Sequence, residues 1–230
     1  MYRRLEGRSI VETVARLERR IGERFPGSGL GQVSAELLVL AQEATRRAVA
    51  LRRPNLAVRG ASWALILLIV GIAGETFLHF RLAPRWDEVV AFVNTSQAIQ
   101  NVVFLGIAVL FLANVETRIK RRRALAAIHE LRSVAHIVDM HQLTKNPDQL
   151  VAESAPTASS PSRVGTRLDL SQYLAYCTEL LSLTSKVAAL YVQEFEDRVV
   201  LEAVNDVETL ATGLSTTIWQ KIIILDRMMA

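Results

Sequence analysis

The stretch GASWALILLIVGIAGETFLHF, Gly60 to Phe80, decides how this chain is read. About 15 residues run free of charge before Glu75, and about 21 before Arg81. At roughly 1.5 Å per residue the longer count spans the hydrocarbon core of a bilayer. A second stretch, AIQNVVFLGIAVLFLANVETR, has a shorter apolar centre, Val102 to Ala113, with polar but uncharged flanks. Alone it would suit a buried soluble helix equally well. After a first crossing, however, a second crossing at roughly Ile99 to Val115 returns the chain to its starting side. The reading is an all-α protein built on a two-span transmembrane helical hairpin.

Lys and Arg near a membrane tend to stay cytoplasmic. Arg46, Arg47, Arg52, Arg53 and Arg59 precede the first span, and Arg118, Lys120, Arg121, Arg122 and Arg123 follow the second. Both termini are therefore expected in the cytoplasm. The connecting segment sets Arg81 and Arg85 against Asp87 and Glu88 and offers no competing positive charge. Trp63 and Trp86 fall near opposite interfaces, where indoles are favoured. The basic clusters read as topology determinants that also touch anionic headgroups, and they account for much of the net charge of +4. No groove-reading motif accompanies them, so nucleic acid is not an expected partner.

Half of the residues are hydrophobic and 22% are charged, a balance that calls for substantial water-exposed flanks around the hairpin. Those flanks read as helices. Ser9 and Glu12 match an S-x-x-E capping box, and Ile10, Val14, Leu17, Ile21 and Phe25 form a stripe predicting a helix over 10–25. After PGSGLG, Val33, Leu37, Leu40, Ala44, Ala48 and Leu51 predict a second, antiparallel helix ending before Pro54. Beyond the second span, Ala124, Ile128, Leu131, Ala135 and Val138 extend the membrane helix into the cytoplasm as a rigid rod, with no Gly or Pro to stop it.

Residues 152–166, AESAPTASSPSRVGT, have the composition of a flexible linker. Two long helices are predicted after it, over 170–195 and 198–226. Leu170, Leu174, Cys177, Leu181, Val187 and Tyr191 line the first; Val200, Val204, Val207, Ala211, Leu214, Ile218 and Leu225 line the second. The implied organisation is a helical pair over 1–54, the hairpin over 55–117, a continuing helix over 118–145, a linker over 146–168 and a helical hairpin over 169–230. The cytoplasmic helices are expected to pack as a bundle of four or five, with coiled-coil-like association between chains able to cover remaining apolar surface. The single cysteine, Cys177, sits in an apolar pattern and reads as a reduced core residue. The N-terminus carries no signal-peptide pattern, leaving the first span as the expected membrane signal.

Chemistry-bearing groups are few. Glu75 and His79 share a face of the first span at i,i+4, and at similar depth the second span carries Gln97, Gln100 and Asn101. These could form a polar seam or line an ion path, since an ionisable group within a span is costly unless paired or hydrated. The run HELRSVAHIVDMHQLT places His129, His136 and Asp139 roughly on one face, a weak candidate for metal ligation because two turns separate the histidines. The zinc-protease pattern is absent, Ser133 standing where its second histidine belongs. Gly27 to Gly31 lacks the strand context and lysine of a phosphate loop and reads as a turn. No arrangement singles out an activated nucleophile, and no cofactor is implied.

The layout resembles that of small two-span helical effectors and sensors of bacteria, a likeness of architecture that transfers no residue roles. It implies an inner-membrane location. The expected function is a non-enzymatic, membrane-anchored scaffold or signalling component that binds itself or a protein partner through its cytoplasmic helices. The alternative is an oligomeric two-span pore or ion-conducting effector lined by Glu75, His79, Gln97 and Asn101, and after it a metal-binding helical protein built on His129, His136 and Asp139.

Overall fold

The computed structural model describes residues 4–81, 88–147 and 165–227, with backbone alone at 73, 76–81, 88–99 and 101. The expected linker lies largely outside the described residues, as does Trp86. Among the described residues the regular structure is seven α-helices, and the chain divides into two compact units: residues 1–52 with 123–230, and residues 53–122.

The first unit is a helical bundle. It contains α1 (Gly7–Arg24), α2 (Gly29–Arg52), most of α5 (Val115–Leu143), α6 (Arg167–Glu194) and α7 (Arg198–Arg227). α6 lies along α7 and α1 along α2, while α6 also packs on both α1 and α2. The apolar stripes converge on one core: Val14, Ile21, Leu37, Leu174, Leu181 and Ile218 are fully buried, and Ala124, Ile128, Leu131, Ala135 and Val138 of α5 join them. Each buried Leu or Ile contributes about 1.5–3 kcal/mol relative to an exposed one, so five shared stripes hold helices that could not stand alone. Cys177 is a buried free thiol, as its pattern implied.

Helix ends follow local chemistry. α1 starts at Gly7, ahead of the expected Ser9 box, and Glu6 occupies the N-cap without a capping bond from its side chain. Ser9 lies inside the first turn, where its hydroxyl donates to Glu6 Oε2 (3.2 Å). Gly27, at φ +70°, turns the chain between α1 and α2 in a conformation that a Cβ disfavours. Ser28 then caps α2, its Oγ accepting from the Gly31 N–H (3.2 Å). A full capping box opens α6: Thr166 Oγ1 accepts from the Asp169 N–H (3.1 Å), and Asp169 Oδ2 accepts from the Thr166 N–H (3.1 Å). Asp197 Oδ1 caps α7 by accepting from the N–H groups of Val199 and Val200.

The second unit is built on α3 (Leu56–Arg81) and α4 (Glu88–Ala113), which pack against each other, together with the first turns of α5. Many of its described apolar side chains face outward. Leu67 is 68% exposed, Phe104 69% and Leu110 65%, and Ile66 is the one buried apolar side chain among those described. Among the described residues one helix is long and apolar enough to cross a membrane; there are up to two if Val102–Ala113 and Val115–Leu143 count as a single bent span.

That bend corrects the expectation of a rigid rod. The helix breaks at Asn114, and the segments before and after it meet at 43°. Asn114 donates its side-chain Nδ2 to the Leu110 carbonyl (2.7 Å), while its backbone N–H turns to Phe111 at three-residue spacing (3.2 Å). A short amide competing for backbone acceptors interrupts the ladder without Gly or Pro.

Candidate functional site

The most developed polar cluster lies at one end of the bundle, where the α1–α2 turn, the end of α5, the start of α6 and the end of α7 meet. Gln142, 1% exposed, bridges two charges there. Lys221 Nζ donates to its side-chain Oε1 (2.7 Å) and backbone oxygen (3.0 Å), while Gln142 Nε2 donates to Asp139 Oδ1 (2.6 Å). The amide dipole is aligned, oxygen to ammonium and nitrogen to carboxylate. Burial lowers the Lys221 ammonium below the ordinary lysine range, and Asp139 opposes that shift.

Around this bridge, Cys177 is fully covered, and burial pushes its thiol up to about 12. A thiol so placed stays protonated at neutral pH and is a poor nucleophile. Tyr173 is likewise pushed upward by burial; Lys145 sits over its ring, 5.7 Å from the centroid, and Phe25 meets its edge at 5.3 Å. Arg24 pairs with Asp169 (2.6 Å), binding the end of α1 to the start of α6. His141 lies directly against Gly29, so close that a Cβ there would fall 2.2 Å from the imidazole. The glycine turn and the third histidine of the HELRSVAHIVDMHQLT run are thereby brought together.

His129 and His136 are exposed, and Asp139 is half-buried and bonded to Gln142. Among the described residues no group of three or more His, Cys, Asp or Glu side chains comes together to hold a metal ion. Glu75 is exposed on α3, as is Gln100 on α4. The side chains of His79, Gln97 and Asn101 lie outside those described.

At the base of the α3–α4 pair, Glu116 Oε1 accepts from the Asn55 backbone N–H (2.9 Å) and pairs with Lys120 (2.8 Å), tying the entry of α3 to the first turn of α5. Arg53, Arg59, Arg118 and Arg122 are exposed, and the Arg118 guanidinium lies over the Phe111 ring, 4.6 Å from its centroid. Lys120 and Arg121 of the same unit are partly covered, and Arg52 and Arg123, which belong to the other unit, are exposed. Arg47, expected among the boundary cations, serves the bundle: it reaches Glu130 of α5 (3.0 Å) and Glu43 of its own helix.

The bundle also carries an open groove of about 840 Å³ between α1, α6 and α7, lined by hydroxyls including Thr13, Ser182 and Thr212 and by Trp219. Sequence patterning missed the Gln142–Lys221 bridge, whose partners stand 79 residues apart, and the Glu116–Asn55 tie, 61 apart. The Glu116–Lys120 half of that tie has a local signal, an i,i+4 acid-base pair. No protein-family model, curated protein or solved structure matches the chain significantly.

Proposed function

We propose that the chain is a membrane-anchored helical scaffold or signalling component acting through protein–protein contacts. The observation that carries this reading is the outward apolar surface of α3 and α4, where Leu67, Leu68, Val102, Phe104 and Leu110 are each more than half exposed. Lipid is the solvent in which such a surface is stable. Two crossings, with both termini in the cytoplasm, follow from the cations at the entry of α3 and the exit of α4. The bundle is then the cytoplasmic part. It has a surface suited to a protein partner or a second copy: Thr212, Thr216, Trp219 and Ile223 recur along one face of α7, with Trp219 56% and Ile223 46% exposed.

The test is native mass spectrometry and crosslinking after mild extraction of the full chain. An oligomer or a stoichiometric protein partner that disappears on Trp219→Ala is expected; a monomer that crosslinks to nothing counts against the proposal. One observation favours a second reading, an oligomeric ion-conducting hairpin: Glu75 is an exposed carboxyl on an otherwise apolar stretch of α3. Conductance in reconstituted bilayers that vanishes on Glu75→Ala supports it, and a silent bilayer across pH and voltage removes it.

A further inference from the structure

We propose that the base of the α3–α4 pair binds anionic phospholipid headgroups, with Arg59 and Arg118 each a contact residue for phosphate; this rests on the membrane reading above. Each of the two helices ends its outward apolar surface with an aromatic ring followed by an arginine. On α3, Arg59 and the exposed Trp63 are one turn apart at i,i+4 and share a face. At the α4–α5 junction the Arg118 guanidinium rests on the exposed ring of Phe111, 4.6 Å from its centroid. A ring at the acyl boundary with a guanidinium just outside it suits a lipid whose phosphate lies at that level.

The charge balance points the same way. Glu116 is the one carboxylate among Arg53, Arg59, Arg118, Lys120, Arg121 and Arg122. Its Oε1 is already engaged by Lys120 and by the Asn55 N–H. Arg59 lies within electrostatic reach of the same carboxylate but forms no ion pair with it, and among the described residues Arg118 meets the Phe111 ring and no carboxylate. Among the described residues, neither arginine directs its donors to a protein anion. A guanidinium fork matches phosphate oxygens in pairs, which an ammonium cannot do. Zwitterionic headgroups bring their own ammonium to the site, whereas phosphatidylglycerol or cardiolipin brings negative charge alone. A soluble phosphate would leave Trp63 and Phe111 unused.

The experiment is native mass spectrometry of the full chain in mild detergent, titrated separately with phosphatidylglycerol and phosphatidylcholine. Phosphatidylglycerol adducts should exceed phosphatidylcholine adducts by about fivefold or more. The double variant Arg59→Gln with Arg118→Gln should abolish that preference, Arg59→Lys with Arg118→Lys should retain part of it, and Arg198→Gln on the bundle should retain all of it. Equal binding of the two lipids overturns the proposal, as does a helical double-Gln variant that keeps the preference. If the double-Gln variant loses helicity, the double-Lys variant decides, and full preference there overturns the fork. Displacement of phosphatidylglycerol by millimolar inorganic phosphate also overturns it, since phosphate alone would then be the ligand. Alkaline extraction from phosphatidylcholine-only vesicles reads the membrane assignment separately: release there removes the anchor and this inference with it, while retention without lipid preference removes the inference alone.

Discussion

The bundle and the α3–α4 pair are made of helices of similar length, yet they treat the same side chains in opposite ways. Leu174 and Leu181 in the bundle are fully buried, while Leu67 and Leu68 on α3 are 68% and 59% exposed. A bundle helix alternates apolar and polar faces because water lies on one side of it; residues 63–74 of α3 and 102–113 of α4 are apolar all round, a pattern that suits apolar surroundings. On the membrane reading proposed above, burial inside the protein is the wrong measure of fitness for the apolar stretches of α3 and α4. In that proposal their stability depends on the solvent, and that of the bundle on complementary stripes.

Matched deletions test this most strongly. Leu181→Ala should destabilise the bundle by about 2–5 kcal/mol in denaturant melts followed by circular dichroism in detergent. Leu67→Ala removes the same atoms from α3 and should move that transition by less than about 0.5 kcal/mol. A comparable loss at Leu67 would mean that protein covers α3, and the contrast would fail. The next largest effect belongs to Lys221. Lys221→Met strips both acceptors of Gln142 of their donor at a buried site and should cost about 1–3 kcal/mol. Adding Gln142→Leu should recover part of the loss; strict additivity of the two variants would show that the bridge is not a unit.

The capping box of α6 is a smaller contributor. Thr166→Ala should cost about 1 kcal/mol in the same melts. The Asp169 carboxyl is held below its ordinary value by the Thr166 hydroxyl and N–H, with Arg24 adding to the effect. A depressed carboxylate stabilises the fold above its unfolded pKa of about 4 and loses that contribution as pH falls through the folded value. Melts from pH 7 to 2.5 should therefore show a decline below about pH 4 that is weaker in Asp169→Asn. The smallest expected effect is at Gly29. Alanine gains helix propensity at the start of α2 but displaces the His141 ring, so the net loss should stay under about 1 kcal/mol. In a His141→Ala background the same substitution should become neutral or stabilising.

Much of the bundle is legible in sequence because its information is local. Every expected stripe residue of α5 and α6 is buried, and the α7 stripe departs only at Leu214, which is half-buried. Ends were less legible. Ser9-x-x-Glu12 matches the capping pattern but lies within a helix already begun at Gly7, while Thr166-x-x-Asp169 matches it inside a segment whose composition reads as linker. The Asn114 break escapes a search for Gly and Pro because its cause is an amide reaching back to Leu110. The polar ties escape for a different reason. Gln142 with Lys221, and Arg47 with Glu130, depend on which helices become neighbours, and no spacing rule along one helix contains that.

The division of the chain places residues 53–122 between two stretches that together make one bundle. In biosynthetic terms α1 and α2 leave the ribosome first, and α6, on which both pack, is made more than a hundred residues later. At roughly 5–20 residues per second those stripes wait many seconds without their partner. Membrane insertion of α3 and α4, where it occurs, falls inside that interval. Assembly of the bundle is therefore the last event in the making of this protein, and a chain truncated before α6 should present the α1–α2 pair to proteases and chaperones.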